Sequence, residues 1–227
     1  MDTANPAHVT ILAGHYGSGK THVAVNYALW LRAQGYPVTL VDLDIVNPYF
    51  RTKDADALLR EAGIAVISSE YALSNLEVPS VPSAIGTAFA RGGGYCVIDV
   101  GGDDRGALAL GRYAAQLGSA ESLDMWLVVN ANRPLTATPE ACLEIMGEIE
   151  AAARQKFTGI VNNTHLGAET TPETILSSLP YAEAIAKQTG LPLVMTTVRE
   201  DLLTFVQGQA PHPFALKILP KPEWDIW

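Results

Sequence analysis

The chain has 227 residues and a mass of 24.2 kDa, with 48% hydrophobic and 17% charged residues, enough for one domain with a proper core. Its 15 basic and 24 acidic side chains give a net charge of −9, and no Lys/Arg cluster offsets it, so a nucleic-acid or anionic-membrane surface is not expected. Cys96 and Cys142, far apart and outside any CxxC, exclude a disulfide framework and argue against a zinc site, and no apolar run approaches the roughly 18 residues of a membrane span.

The residues from Met1 to His8 lack the charged and apolar regions of a signal peptide, so a cytoplasmic protein is expected. Val9–Ala13 is a short apolar run closed by glycine, which predicts a strand. A helix is expected over Thr21–Ala33, then a strand over Val38–Leu43 and a helix over Asp54–Glu61. Further strands are expected over Ile64–Ser68, Tyr95–Val100, Met125–Asn130, Phe157–Asn162 and Leu191–Thr197. Helices are expected between the later strands, over Gly106–Leu117, Pro139–Arg154 and Pro172–Gln188. The last begins with a threonine cap, a proline and an acidic first turn. The strands are continuous apolar runs, a pattern of burial on both faces. Their alternation with helices predicts an α/β class: a three-layer, doubly wound, mostly parallel sheet of about seven strands in a single domain over 1–227. A proline-rich tail follows from about residue 208. Ligands of such sheets sit at the carboxyl ends of the strands.

After the first predicted strand comes Gly14-His15-Tyr16-Gly17-Ser18-Gly19-Lys20-Thr21, a GxxxxGK[ST] phosphate loop opening a helix. Its glycines let backbone N–H groups face phosphate oxygens, and Lys20 and the helix N-terminus add positive charge. Thr21 is placed to ligate Mg²⁺. His22, next in the first helical turn, is counted with the loop, although packing is its plainer role. The strand Tyr95–Asp99 ends in a carboxylate suited to Mg²⁺, and Asp99-x-x-Gly102 suits a loop that senses the terminal phosphate through the Gly102 N–H. Asp103 and Asp104 extend that segment, with an N-cap as their plainer role. Asp42 and Asp44, on one side of the second strand's end, are expected to serve the site. One of them would orient the attacking water, and the other would help hold Mg²⁺ or Lys20. Arg51 is read equally as a phosphate-directed arginine or a solvated one.

Together these segments make the chain resemble the MinD/ParA/CobQ branch of P-loop NTPases, the nitrogenase iron protein-like branch. The resemblance runs from Thr10 to about Arg199. It implies MgATP binding, slow hydrolysis and often a nucleotide-gated homodimer. By motif position it makes Asp44 the water-activating aspartate and Asp99 the second switch aspartate. The pattern departs at one place: where the branch carries a signature lysine that reaches across a dimer, this chain has His15, followed by Tyr16. The Gly17-to-Thr21 core also looks like that of hydrogenase- and urease-maturation GTPases.

Guanine-reading proteins of this class use Asn-Lys-x-Asp after a late strand. Here the segment is Asn162-Asn163-Thr164-His165-Leu166, with no carboxylate, so ATP is expected over GTP. Asn162, then Asn163, are the candidate base contacts, with turn formation the plainer role of both. The proline-broken segment 74–83 is either a partner-binding loop or an irregular connection, and Arg133 either approaches a phosphate or meets a partner subunit. The tail, with Trp224 and Trp227, lacks a basic amphipathic helix, so no membrane role is expected. The sum of these readings is an ATP-hydrolysing switch that works in maturation, cofactor insertion or assembly of a partner protein. The alternatives are a dethiobiotin synthetase-like enzyme on a small carboxylate, a GTPase metallochaperone, and a module that binds nucleotide without hydrolysing it.

Overall fold

The computed structural model describes residues 6–44, 53–68, 86, 88–89, 94–102 and 104–218. The strands are β1 (Val9–Ala13), β2 (Val38–Leu43), β3 (Ala65–Ser68), β4 (Tyr95–Val100), β5 (Leu123–Val129), β6 (Gly159–Asn162), β7 (Leu193–Arg199) and β8 (Pro213–Leu216). They form one sheet in the order β3-β2-β4-β1-β5-β6-β7-β8, and every neighbouring pair is parallel. The described helices are α1 (Lys20–Ala33), α2 (Lys53–Glu61), α3 (Asp104–Gly111), α4 (Ala114–Leu117), α5 (Pro139–Ala153), α6 (Pro172–Leu176), α7 (Leu179–Thr189) and α8 (Leu203–Val206).

The apolar runs explain the layering. All five residues of β1 are buried, because helices cover both faces of the sheet. On one face Val23, Tyr27 and Leu31 of α1 pack against Leu12, Leu40 and Val97. On the other, Cys142 and Ala153 of α5 join Ile11, Ile98 and Leu127. Both cysteines are free and buried, and burial pushes the Cys96 thiol up to about 12. Two helices start at the expected residues, Pro139 and Pro172. Thr138 caps α5 by accepting from Ala141 N–H at 3.3 Å, and Thr171 closes a capping box with Thr174 on α6.

Three expectations need correction. The sheet has eight strands rather than seven, because the proline-rich tail contributes Pro213–Leu216. Proline is tolerated there as the first residue of an edge strand. Phe214 seats its ring against Tyr27 and Trp30 of α1, with centroids 6.4 Å from each. The single helix expected over Gly106–Leu117 is two: a Cβ on Gly111 would collide with Ala152 O, and the chain tightens through Tyr113 N–H to Leu110 O at 2.9 Å. The helix expected over Pro172–Gln188 also breaks, where Pro180 lacks an N–H and a new helix restarts around it. Arg51, Asp103, the segment 74–83, Trp224 and Trp227 lie outside the described residues, as does the side chain of Asp104.

Candidate functional site

β1 lies at the centre of the sheet between β4 and β5, so the crevice at its carboxyl end is where the fold places a ligand. The loop Gly14–Lys20 fills that position. α1 begins at Gly19 with φ +83°, no side-chain cap and no acidic residue in its first turn. Its first N–H groups therefore meet no carboxylate of their own, an arrangement that favours an anion. Ser18 N–H and Lys20 Nζ both donate to His15 O, each at 3.1 Å, which folds the loop into a tight ring. Lys20 is buried beneath it. His15 Nδ1 lies 3.0 Å from Tyr16 O, and the Tyr16 ring stands out at 59% exposure. Gly14, Gly17 and Ser18 complete the ring, with Gly14 packed onto Val128 O and the Ser18 hydroxyl.

β4 supplies the acidic partner. Asp42 and Asp99 are register neighbours on β2 and β4, and each is 1% exposed. Thr21 Oγ1 donates to Asp99 Oδ2 at 2.6 Å, which joins the phosphate loop directly to the strand end. Burial raises the Asp99 carboxyl to about 7; the Thr21 bond and the Lys20 charge pull it down, and the Asp44 charge pushes it further up. Asp99 Oδ1 is buried and has no hydrogen-bond partner among the described residues. A carboxylate so desolvated, beside a hydroxyl and two further acidic residues, fits a hard divalent cation with oxygen ligands. Thr21, Asp99 and Asp44 are the residues that would hold Mg²⁺. Among the described residues no group of three His, Cys, Asp or Glu side chains is placed to hold a metal ion by itself.

Asp42 supports Asp44 directly. Its Oδ1 accepts the Asp44 N–H at 2.8 Å, so it shapes the turn that presents Asp44. Asp44 lies against Gly101, where an added Cβ would come within 3.2 Å of its Oδ1. Gly102 approaches the phosphate loop closely: a Cβ there would stand 2.6 Å from Tyr16 N and 2.8 Å from Lys20 Nζ. Only glycine permits that contact.

The two asparagines expected to read a base are both engaged within the fold. Asn162, fully buried, donates to Ser178 Oγ at 2.8 Å and accepts from the Thr164 hydroxyl at 2.8 Å. Asn163 donates to Ser18 O at 2.6 Å and accepts from Thr197 Oγ1 at 2.5 Å. A Cβ on Gly19 would collide with that Asn163 amide. Asn163 is thus a brace for the phosphate loop, and Asn162 orders its own turn. Thr197 and His165 are the residues that sequence reasoning missed. His165 Nε2 lies 3.1 Å from the place of a Cβ on Gly19, and its Nδ1 accepts the Gly167 N–H at 3.1 Å. Burial, then the charges of Arg133 and His22, hold this imidazole down at about 4, so it is neutral at pH 7. His22 stays half-buried in the first turn of α1. Motif reading could not find His165, because no fixed spacing ties it to the loop it covers.

No protein-family model and no curated protein sequence matches the chain. Solved structures do. Its fold is that of the P-loop NTPases. The cell division protein FtsY of Thermotoga maritima superposes with a TM-score of 0.56 at 20% identity, over 86% of this chain and 62% of that one. The signal recognition particle 54 kDa protein of Aeropyrum pernix, solved with GDP, gives 0.55 at 20% identity over 85% of this chain and 41% of that one. A nucleotide-binding protein of Archaeoglobus fulgidus, solved with ADP, gives 0.51 at 17% identity over 87% and 84%. This chain therefore spans about three fifths of the length of the FtsY structure. The P-loop neighbours include both a GDP and an ADP complex, so the likeness establishes the fold without choosing a base.

Proposed function

We propose that this chain is a Mg²⁺-dependent nucleoside triphosphatase that binds ATP in preference to GTP and works as a slow switch. The observation that carries the reading is the 2.6 Å bond from Thr21 to Asp99, which brings the phosphate loop and the acidic strand end into one site with Lys20 buried beside them. When bound, Mg²⁺ would neutralise charge developing on the phosphates. The residues divide the remaining work. The loop N–H groups and Lys20 hold phosphate oxygens, Thr21 and Asp99 hold the cation, and Asp44 orients a water for attack. Gly102, packed on Tyr16, is placed to feel a change at the loop.

The preference for ATP rests on the segment 162–166, which has no carboxylate to accept the N–H groups of guanine. Within the MinD/ParA/CobQ branch that the chain resembles, the net charge of −9 disfavours a DNA role and the tail without a basic amphipathic helix disfavours a membrane role. That leaves maturation, cofactor insertion or assembly of a client protein, and the resemblance adds a homodimer as a partner. No helix among the described residues is long and apolar enough to cross a membrane.

The test is phosphate release from MgATP and MgGTP, side by side, with Lys20→Ala and Asp44→Ala as controls. ATP turnover lost in both variants supports the reading, and turnover of GTP alone replaces ATP by GTP. Turnover that needs an added carboxylate metabolite moves the function to a biosynthetic transferase. Binding without turnover leaves a nucleotide-holding module.

A further inference from the structure

Arg133, in the loop after β5, has no task in the scheme above. Its Nε donates to Gly17 O at 2.6 Å. The guanidinium carbon and Nε lie 2.9 Å, and Nη1 3.3 Å, from where a Cβ on Gly17 would stand. The planar fork is therefore laid against the middle of the phosphate loop, on a residue at φ +77° whose missing side chain admits it. The base of the side chain is fixed. Arg133 N–H donates to Asn130 O at 3.1 Å, Thr136 N–H donates to Arg133 O at 3.0 Å, and Pro134 follows. Asn130 Oδ1 in turn accepts the Asn132 N–H at 3.0 Å. Among the described residues the two Nη groups have no hydrogen-bond or ion-pair partner. The guanidinium is exposed in a protein of net charge −9, yet it lies against a phosphate loop instead of a carboxylate.

A structural clamp needs one donor, and Nε supplies it. The planar fork that remains matches phosphate oxygens two at a time. The neighbouring imidazole of His165 stays uncharged at neutral pH, so the cations against this loop are Lys20 from below and Arg133 from the rim. We propose that Arg133 is a second phosphate-binding cation supplied within the chain: its Nε braces the loop through Gly17 O, and its two Nη groups bind phosphate oxygens of a nucleoside triphosphate. This rests on the nucleotide reading above.

The experiment is calorimetric titration of the full chain with MgATP and MgADP at low and moderate salt, on the wild type, Arg133→Gln, Arg133→Lys and Lys20→Ala, each checked by thermal unfolding. The guanine pair is used should adenine nucleotides not bind. Loss of a charge-assisted contact to the last phosphate predicts that Arg133→Gln weakens the triphosphate about tenfold relative to the diphosphate, with a shallower salt dependence. Arg133→Lys, which keeps the charge, recovers most of the loss. Equal weakening of both nucleotides together with a lower melting temperature makes Arg133 a loop clamp only and overturns the proposal, as does a Gln variant indistinguishable from wild type. If Lys20→Ala also leaves binding unchanged, the nucleotide reading itself falls. If Lys20→Ala abolishes binding while the Arg133 variants are silent, only the role of Arg133 falls.

Discussion

Asn163 spends both ends of one amide on holding other elements in place: its nitrogen on Ser18 O of the phosphate loop and its oxygen on Thr197 of β7. Thr197→Val keeps the shape but leaves the buried amide oxygen short of a donor. That costs about 1–3 kcal/mol of stability and is expected to lower nucleotide affinity, read by denaturant unfolding and by titration. Gly19→Ala is the harsher change, because it adds a Cβ at φ +83° where Asn163 already sits. It is expected to cost about 1–3 kcal/mol and to reduce nucleotide binding more than any change on the outer face of α1. Much of the site was legible at this scale. The glycines, Lys20, Thr21 and Asp99 announce themselves because phosphate chemistry dictates both their types and their spacing. Asn162 and Asn163 carry no such dictate, because an amide at a strand end can face a ligand or its own loop, and composition does not say which. Arg133 could be named because it follows a strand end at the rim of the site, whereas His165 comes to the loop by tertiary folding alone.

α1 carries the site at one end and the last strand along its side. Asn26 donates to Lys217 O at 3.1 Å and accepts the Lys217 N–H at 2.8 Å, as a strand neighbour would. Asn26→Leu removes both bonds, leaves two backbone groups to water, and is expected to cost about 1–3 kcal/mol, with faster amide exchange confined first to β8. Phe214→Ala is expected to act in the same direction through lost packing on Tyr27 and Trp30. The seven strands with long apolar runs could be read from the chain because burial on both faces leaves an unbroken hydrophobic signature. β8 could not, since four residues headed by a proline and only partly buried give no such run. The break at Gly111 was hidden because a glycine is tolerable in a helical pattern and its packing on Ala152 decides, whereas Pro180, which lacks an N–H, was a break signal legible in the chain.

Two buried groups tilt the stability of the whole molecule with pH in opposite directions. His165 titrates near 4 in the fold against 6.5 in the open chain, so the open chain binds more protons between those values and stability rises with pH across that window. At the usual equivalence of pKa and free energy this is up to about 3 kcal/mol. Asp99 titrates near 7 in the fold against 3.8, so the fold binds more protons and stability falls as pH rises from about 4 to 7. The metal-free protein is therefore expected to show a shallow pH profile. His165→Gln leaves the descending limb alone, and Asp99→Asn leaves the ascending one, as chemical unfolding at pH 4.5, 5.5, 6.5 and 7.5 would show. Added Mg²⁺, which favours the Asp99 carboxylate, is expected to flatten the descending limb in the wild type but not in Asp99→Asn.

An all-parallel sheet also fixes when this protein can work. Val9 of β1 pairs with Cys96 and with Leu123, partners made much later by the ribosome, and the phosphate loop is braced by Asn163 and, through it, by Thr197. A chain emerging from synthesis therefore carries its complete phosphate motif for most of translation without the strands that give it shape. Such distant pairings close slowly, and nucleotide can reward only the finished sheet. Nucleotide is thus expected to act late, as a ligand that locks a nearly complete fold, and refolding yield should rise when it is present at the last step.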